Sequence, residues 1–330
     1  MPARRLLLAL AVALSALDAG GCRNDGCGAR GRLSVAAAEG GGGDEGGDEI
    51  GDAALVDGGE SEALPAGEEV GVESAGGFEA GAALRCPKEM VNVGGQFCID
   101  RYEDSLVDDA TGEHLSPHYP PEPGVAQRFF AKWQEDRLTV GPASARDMPL
   151  PPLPEIERTE NFRPRAVSLR DVIPQGYISG RVAGEACARA KKRLCTHDEW
   201  TFACRGEHQT KYPYGSEYRP GVCNVFRMSH PAQKLHDNAS AGHSDPRLGL
   251  VEAQDGPLLR TTGSTKACAS RWGKDAIYDM VGNEDEWIDD PDGTFVGGFF
   301  SRGTKEGCDS IVSVHPLTHW DYSIGFRCCK

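Results

Sequence analysis

Apolar and polar residues alternate over residues 90–102, and this pattern predicts a β-hairpin. Val91 and Val93 lead into a Gly94–Gly95 pair, and a second apolar run begins at Phe97. Alternation with a period of two on both sides of a two-glycine turn is typical of antiparallel strands with one buried face. We therefore expect a hairpin near the start of the folded part of the chain.

Two short helices are predicted farther along, one from helical spacing and the other from a capping signal. Within SGRVAGEACARAKKRL, the apolar residues Val182, Ala186 and Ala190 recur at four-residue steps, as on one face of an amphipathic helix. Thr196 is followed three positions later by Glu199, which is the capping-box pattern of a helix N-terminus. Helices are therefore expected just before and just after the segment KKRLC.

Prolines limit regular structure over residues 104–165, which include LSPHYPPEP and MPLPPLPEIE. Proline lacks the amide hydrogen that helices and sheets need, so we expect mostly irregular backbone with one short helix at residues 128–133. After Gly206 the chain is rich in Gly, Asn, Asp and Pro, which favours loops and short strands. The predicted fold class for residues 86–330 is α+β, with much irregular structure held by disulfides.

The first 22 residues have the pattern of an export signal that ends at a cysteine. Two arginines precede an apolar run over residues 6–17, and small residues lead to Cys22. The run is shorter than the roughly 20 residues that span a bilayer. AGGC resembles the lipobox of bacterial lipoproteins, so either Cys22 carries a lipid anchor or the signal is simply cleaved, with Cys22 free or paired. The expected location is the bacterial outer membrane, cell surface or periplasm.

Residues 23–85 have the composition of a disordered tether. They hold 17 glycines among 63 residues, and their 14 acidic and 4 basic side chains give a net charge of −10. Such a segment buries too little apolar surface to offset its ordering entropy, and its charges repel one another. The tether accounts for most of the chain's net charge of −15. Nucleic-acid binding is not expected, because no basic stripe is present to neutralise phosphates.

Ten of the twelve cysteines lie within residues 86–330. An even number of cysteines in an exported domain favours disulfides. The only close repeat is the adjacent pair Cys328-Cys329, and no Cys-x-x-Cys spacing occurs. A zinc site is therefore not expected.

Five phrases follow one another along the folded part. They are FCIDRYE (97–103), AKKRLCTHDEWTFACRG (190–206), YPYG with CN (212–215 and 223–224), YDMVGNEDEW (278–287) and GFRCC (325–329). Together they closely resemble the formylglycine-generating enzyme family, also called the sulfatase-modifying factor domain family. The resemblance spans residues 86–329 apart from the proline-rich insert, and it implies an α+β fold related to that of C-type lectins. RLCT and GFRCC resemble an extracytoplasmic bacterial branch of the family.

The resemblance implies a calcium site in YDMVGNEDEW. Asp279 and Glu286 would bind through their carboxylates, and Gly282 and Glu284 through backbone carbonyls. A tight turn between two carboxylates offers the oxygen ligands that Ca²⁺ prefers. The alternative is that Asp279 and Glu286 stabilise the turn without a metal.

A second calcium site of the family maps to the CN segment. Asn224 and Val225 would contribute from this segment, and Asp255 with Pro257 from a later loop. The family usually has an aromatic residue at the last of these positions, whereas this chain has proline.

The resemblance also implies roles for the cysteines. Active family members use two cysteines shortly after a GGS segment to bind copper, activate O₂ and oxidise a substrate cysteine to formylglycine. The stretch here is GGFFSRG, and the position of the first catalytic cysteine falls near Ser301 or Arg302. Both catalytic thiols are therefore expected to be absent. The disulfides that the resemblance implies are Cys187–Cys328 and Cys204–Cys308.

Several pairings stay open for the other six cysteines. The pairs suggested by their positions are Cys86–Cys98, Cys223–Cys268 and Cys195–Cys329. The alternative for Cys195 and Cys329 is a free redox pair.

Two functions follow from these observations. Ser301, Arg302, His319 and Trp320 fall in or near the cleft where the family binds peptide, and they form a possible ligand site. The first hypothesis is a tethered binding or scaffold module without oxidase activity, whose ligand is a peptide, a cell-surface protein or a glycan. The alternative is a copper-dependent oxidase that converts a sulfatase cysteine to formylglycine, and copper is expected only in that case.

Overall fold

The computed structural model describes residues 84–159 and 161–330. Within these residues the α-helices are α1 (Val125–Asp136), α2 (Ala143–Arg146), α3 (Gly180–Arg189), α4 (His197–Arg205) and α5 (Pro231–His236). The strands are β1 (Met90–Val93), β2 (Phe97–Asp100), β3 (Asp104–Asp108), β4 (Pro164–Ser168), β5 (Arg193–Leu194), β6 (Glu252–Ala253), β7 (Gly256–Pro257), β8 (Ala269–Trp272), β9 (Asp275–Tyr278), β10 (Asp285–Trp287), β11 (Phe295–Val296), β12 (Ile311–Val312), β13 (Ile324–Phe326) and β14 (Cys328–Cys329). Short 3₁₀ turns lie at Glu155–Arg158, Leu248–Leu250 and Gly307–Asp309. These short elements in long irregular segments confirm the predicted α+β class.

The predicted hairpin is confirmed and lies in a four-stranded antiparallel sheet with the order β1-β2-β14-β5. β1 and β2 pair around Gly94 and Gly95, whose φ angles of 59° and 74° are ones that glycine adopts easily. β14 pairs with β2 on one side and with β5 on the other. The two-residue strand β14 thus completes a sheet whose first strand begins at Met90.

A second four-stranded sheet, ordered β12-β11-β10-β13, carries the acidic motif. β10 runs parallel to β13, so Glu286 lies opposite Gly325 and Trp287 lies opposite Phe326. This pairing places YDMVGNEDEW beside GFRCC, although the two motifs are far apart in the sequence. Trp287 is buried in the core and donates from Nε1 to the Ile178 carbonyl at 2.9 Å.

Both predicted helices are present, and each begins at a capping side chain. The Ser179 hydroxyl accepts from the Val182 amide at the start of α3. Thr196 and Glu199 form the reciprocal capping box of α4. The capping box fixes the start of α4, and from this helix Trp200 is buried in the largest hydrophobic core cluster.

The proline-rich insert is bracketed by β3 and β4, which pair with each other as an antiparallel ladder. Its helix α1 is longer than the segment 128–133 predicted for it, because no proline lies within Val125–Asp136 to interrupt it. From α1, Phe129 packs edge-on against Trp320 with ring centroids 4.8 Å apart. The insert therefore lies against one of the residues predicted to line the cleft.

Five disulfides join all ten cysteines of the described residues. The pairs are Cys86–Cys98, Cys187–Cys328, Cys195–Cys329, Cys204–Cys308 and Cys223–Cys268. These are the pairings considered in the sequence analysis. Within the described part of the chain, no helix is long and apolar enough to cross a membrane. The predicted export signal, Cys22 and the tether lie outside the described residues apart from the last two tether positions.

Candidate functional site

The turn between β9 and β10 holds the acidic motif in a left-handed path. The φ angles of Asp279, Gly282 and Asn283 are 58°, 82° and 67°. A side chain at position 282 would clash with the Asn224 carbonyl oxygen, because the two backbones are in contact there. The Asn283 amide donates to that same carbonyl at 3.0 Å. The turn is thus fixed to the loop that carries Asn224, and position 282 requires glycine.

Five buried carboxylates lie at or beside this turn, and one buried guanidinium neutralises part of their charge. The carboxylates belong to Glu103, Asp279, Glu284, Asp285 and Glu286. Arg327 donates to both oxygens of Glu286, from Nε at 2.6 Å and from Nη2 at 2.5 Å. Trp200 Nε1 donates to Glu286 Oε2 at 2.7 Å. The Glu286 carboxylate therefore connects α4, β10 and the GFRCC segment.

Asp279 and Glu284 are less well satisfied than Glu286. Burial raises the pKa of Asp279 to about 7, and the Glu286 charge adds to that effect while the Gly263 amide and Arg327 oppose it. Burial also raises the pKa of Glu284 well above its usual range, with Glu286 as the largest charge contribution. Among the described residues, none donates a hydrogen bond to either side-chain oxygen of Glu284. Negative charge at the turn is thus only partly compensated.

The oxygen chemistry of this donor set suits a hard divalent cation, although the three carboxylates of Asp279, Glu284 and Glu286 do not form a compact group and Arg327 already binds both oxygens of Glu286. Asp279 uses one carboxylate oxygen to accept from the Gly263 amide at 2.7 Å. A carboxylate offers about four acceptor positions, so the three hydrogen bonds on Glu286 leave one position free. Carboxylate and carbonyl oxygens at a tight turn are the ligands Ca²⁺ prefers, and a cation would lower the raised pKa values described above. Asp279, Gly282, Glu284 and Glu286 are therefore suited to hold one.

The second predicted calcium set does not fit a cation in the same way. The structure brings Asn224, Asp255 and Pro257 together, but around the side chain of Arg227. The Val225 amide of the same segment donates to the Cys223 carbonyl at 3.0 Å.

Arg302 and Asp285 form an ion pair where the sequence analysis located the first catalytic cysteine. Arg302 Nη1 lies 2.7 Å from Asp285 Oδ1, which also accepts from the Gly298 amide at 3.0 Å. Asp285 is fully buried, and burial raises its pKa to about 7 against the opposing charge of Arg302. The guanidinium stays 30% exposed and lies over the Phe299 ring at 5.2 Å. Asp285 therefore fixes the orientation of the Arg302 guanidinium, and the exposed part of the side chain stays accessible to a ligand.

Aromatic and histidine side chains pack around Phe299. The Tyr322 ring lies 5.9 Å from that of Phe299, and its hydroxyl is hydrogen-bonded to His230 Nε2 at 3.1 Å. Burial lowers the pKa of His230, and the nearby His243 lowers it further. Both effects disfavour the charged form of His230, and the Asp321 carboxylate opposes them.

The other predicted cleft residues have identifiable contacts. Ser301 Oγ donates to the Ser229 carbonyl at 3.1 Å. The ring of His319 lies 4.9 Å from that of His315, and burial lowers the pKa of His319. Trp320 packs between Phe129 of the insert and Tyr177, at 4.8 and 6.4 Å. Trp320 packs against the hydrophobic cluster that contains Phe299.

Cys308 is buried and its sulfur is bonded to Cys204 of α4, so it offers no free thiol. Within the described part of the chain, the one compact group of His, Cys, Asp and Glu ligand atoms is Asp104 with Cys187 and Cys328. Its two sulfurs are joined in a disulfide, so this group is not a zinc or copper site. No described cysteine has a free thiol that could act as a thiolate ligand or nucleophile, because all ten are in disulfides.

Several site residues were not found from the sequence. Asp285 stands inside the quoted acidic motif, but nothing in the motif indicates that its partner is Arg302, 17 residues later. Arg227 follows the CN segment by three positions, and its charge so close to a predicted cation site was an available signal. His230 and Tyr322 are 92 residues apart, and no local pattern connects them.

The fold and the site define a disulfide-rich α+β domain with an acidic turn and a cleft that contains no free thiol among the described residues. Residues 58–314 match the family described as the sulfatase-modifying factor enzyme 1-like domain. The chain belongs to this family, as the five motifs predicted.

Two curated relatives are each named inactive C-alpha-formylglycine-generating enzyme 2. The Mus musculus protein is 29% identical over 116 residues, which cover 35% of this chain and 31% of the relative. The Bos taurus protein is 27% identical over 159 residues, which cover 48% of this chain and 50% of the relative. The chain thus spans about a third to a half of the length of these relatives.

Similar solved structures include CarF and PvdO from Pseudomonas aeruginosa. The CarF crystal structure has a TM-score of 0.32 at 14% identity and covers 71% of this chain and 85% of that one. PvdO has a TM-score of 0.33 at 12% identity and covers 71% of this chain and 79% of that one.

Proposed function

We propose that this chain is a non-oxidising member of the family that acts by binding a ligand. The observation that carries the proposal is the Cys204–Cys308 disulfide, which leaves Cys308 without a thiol. Copper in active members needs two thiolates, and the cleft offers Ser301 and Arg302 where the first would stand. The word inactive in the names of the two relatives supports the same conclusion.

The proposed ligand surface is centred on Arg302. Its guanidinium lines a cavity of about 330 Å³ together with Gly303, Thr304, Ser310 and two acidic residues. The acidic residues already have partners, since Glu306 accepts from the Thr304 hydroxyl and Asp309 pairs with Arg205. A planar, permanently charged fork held by a buried aspartate favours an anionic or carboxylate-bearing group. The ligand classes that present such a group here are an acidic peptide, a cell-surface protein and an acidic glycan.

The proposal extends to location and to calcium. Lipidation of Cys22 would tether the domain to a bacterial membrane through the glycine-rich, acidic segment. Membrane fractionation of wild type and Cys22→Ala tests the anchor, since only the wild type should partition with membranes. Calcium at Asp279, Gly282, Glu284 and Glu286 would act as a structural ion, because it would compensate the buried carboxylates of the turn.

The oxidase alternative is tested by counting thiols. The purified chain is alkylated under denaturing conditions, digested without reduction and mapped by mass spectrometry. We expect Cys204–Cys308 to be found, no described cysteine to be alkylated, and a peptide with a sulfatase cysteine motif to stay unoxidised with copper and O₂. An active formylglycine-generating enzyme is the positive control, and Arg302→Cys should remain inactive because one thiol does not complete the pair. A free Cys308 with copper-dependent peptide oxidation contradicts the proposal.

Binding is tested with arrays of acidic peptides and acidic glycans. Arg302→Gln should lower affinity for the best array ligand about tenfold or more, since a charge-assisted contact contributes roughly 1.5–3 kcal/mol. Lys305→Gln is the matched control, because it removes a nearby charge from the same loop. Equal binding by wild type and Arg302→Gln would show that the ligand does not contact this cleft.

A further inference from the structure

We infer that the Arg227 guanidinium occupies the cation position of the second predicted calcium set, so that this loop binds no calcium. Nη1 donates to Asn224 Oδ1 and to the Pro257 carbonyl, both at 3.1 Å. Nη2 donates to Asp255 Oδ1 at 2.6 Å and to the Gly256 carbonyl at 3.2 Å. One side chain thus collects the oxygens that a metal ion would need.

The chemistry of the guanidinium explains how it replaces an ion. Its nitrogens present several donors in a fixed plane. These donors contact four different oxygens, as a metal ion would contact its oxygen ligands. The Arg227 side chain is only 7% exposed, so it fills the space among Asn224, Asp255 and Pro257. A calcium ion brought to these oxygens would meet both an occupied volume and a positive charge.

Arg227 also fixes the orientation of the Asn224 amide, which connects this loop to the acidic turn. Asn224 Oδ1 accepts from Arg227, so its Nδ2 is directed to the Leu258 carbonyl at 2.8 Å and to Asn283 Oδ1 at 2.9 Å. Asn283 in turn lies within the turn of the first predicted calcium site. The permanent charge of Arg227 therefore organises this side of the domain without any dependence on calcium concentration.

The test compares calcium uptake by the full-length wild type, Arg227→Gln and Arg227→Lys. Equilibrium dialysis follows removal of bound metal with a chelator, and the thermal midpoint is recorded with and without calcium. Arg227→Gln should take up about one more ion per chain than wild type. Its midpoint should rise by about 3–10 °C at 10 mM calcium if the new site has the millimolar-range affinity typical of extracellular modules. Arg227→Lys should resemble wild type, because the ammonium keeps the positive charge.

Two further variants make the result specific. Arg219→Gln, which removes an arginine whose side chain donates to the Tyr214 carbonyl outside this loop, should leave calcium uptake unchanged. Adding Asp255→Asn to Arg227→Gln should abolish the gain, because it removes the one carboxylate of the set. These differences cancel any weak uptake by the acidic tether, which all variants share.

The outcome is independent of the proposed function. Asp279→Asn reports on the acidic turn alone, so a wild type without any calcium overturns the turn site while supporting the inference about Arg227. If Arg227→Gln does not fold, Asp255→Asn in the wild-type background decides, since it should not change calcium uptake. An Asp255-dependent calcium ion in wild type, or a folded Arg227→Gln that gains no ion, overturns the inference.

Discussion

At the scale of single residues, the ion pair of Asp285 and Arg302 determines the charge at the proposed ligand site. A buried carboxylate that is fully withdrawn from water holds the guanidinium by one hydrogen bond, while the other carboxylate oxygen has no donor among the described residues. The pair supplies positive charge and geometry but no redox-active atom. It therefore favours recognition over oxidation at this position.

Glu157 of the proline-rich insert makes the stability of the domain depend on pH. It is fully buried and accepts one hydrogen bond, from the Ser116 amide at 2.6 Å, while its other oxygen has no donor among the described residues. Burial raises its pKa from 4.5 to about 7. The unfolded chain releases the proton near pH 4.5 and the folded chain keeps it until about pH 7. The free energy of unfolding therefore falls as pH rises through this window, by about 3 kcal/mol in all.

We expect Glu157→Gln to remove this contribution. Urea unfolding at several pH values should give a flatter dependence of stability on pH for the variant than for wild type across the window. Glu155→Gln is the matched control, because the Glu155 side chain is 90% exposed in the same 3₁₀ turn. Parallel curves for wild type and Glu157→Gln would mean that Glu157 does not titrate as described.

The residues that could not be predicted are those whose partners are distant in the sequence. The Arg302–Asp285 and Arg227–Asp255 contacts join positions 17 and 28 residues apart across irregular loops. Propensity and spacing describe neighbours within about one helical turn or one hairpin, so they carry no information about such pairs. Family resemblance located Asp279 and Glu286, because those positions recur as parts of a motif.

At the scale of elements, local sequence patterns predicted one hairpin and two helices but not the pairing of strands that are distant in the sequence. The hairpin β1–β2 and the helices α3 and α4 follow from alternation, spacing and a capping box within the segments themselves. The insertion of β14 between β2 and β5 does not, because a two-residue strand has no recognisable pattern. Neither does the parallel pairing of β10 with β13, which depends on packing across the domain.

Two residues of the helix α4 contact functionally important positions, Trp200 at the acidic turn and Cys204 at Cys308. Its capping box fixes the start of the helix, Trp200 reaches Glu286 of the acidic turn, and Cys204 bonds to Cys308. Rigid secondary structure thus holds both the candidate metal ligand and the sulfur that would otherwise be reactive. The helix that contacts the acidic turn is therefore also the one whose cysteine is bonded to Cys308.

At the scale of the whole molecule, disulfides replace the long hydrogen-bonded ladders that this fold lacks. Cys204–Cys308 spans 104 residues and Cys86–Cys98 spans 12. A crosslink limits the freedom of the unfolded chain more when it closes a longer loop, with estimates of about 5 kcal/mol and about 3 kcal/mol for loops of these lengths.

We expect the double variant Cys204→Ala with Cys308→Ala to lose more stability than Cys86→Ala with Cys98→Ala. Guanidinium unfolding of both variants and of wild type under non-reducing conditions measures the difference. A smaller loss for the 204–308 variant would show that local packing around the sulfurs, and not the length of the closed loop, decides the effect.

The order of the cysteines along the chain has a consequence for biosynthesis. Cys187, Cys195 and Cys204 all pair with cysteines that are synthesised more than 100 residues later. A chain that is oxidised as it enters an oxidising compartment therefore meets wrong partners first, such as Cys195 for Cys187. Those bonds must be broken by thiol–disulfide exchange before the native set can form. For a chain oxidised in this way, we expect the yield of the native protein to depend more on the isomerase capacity of the host than on the strength of its oxidants.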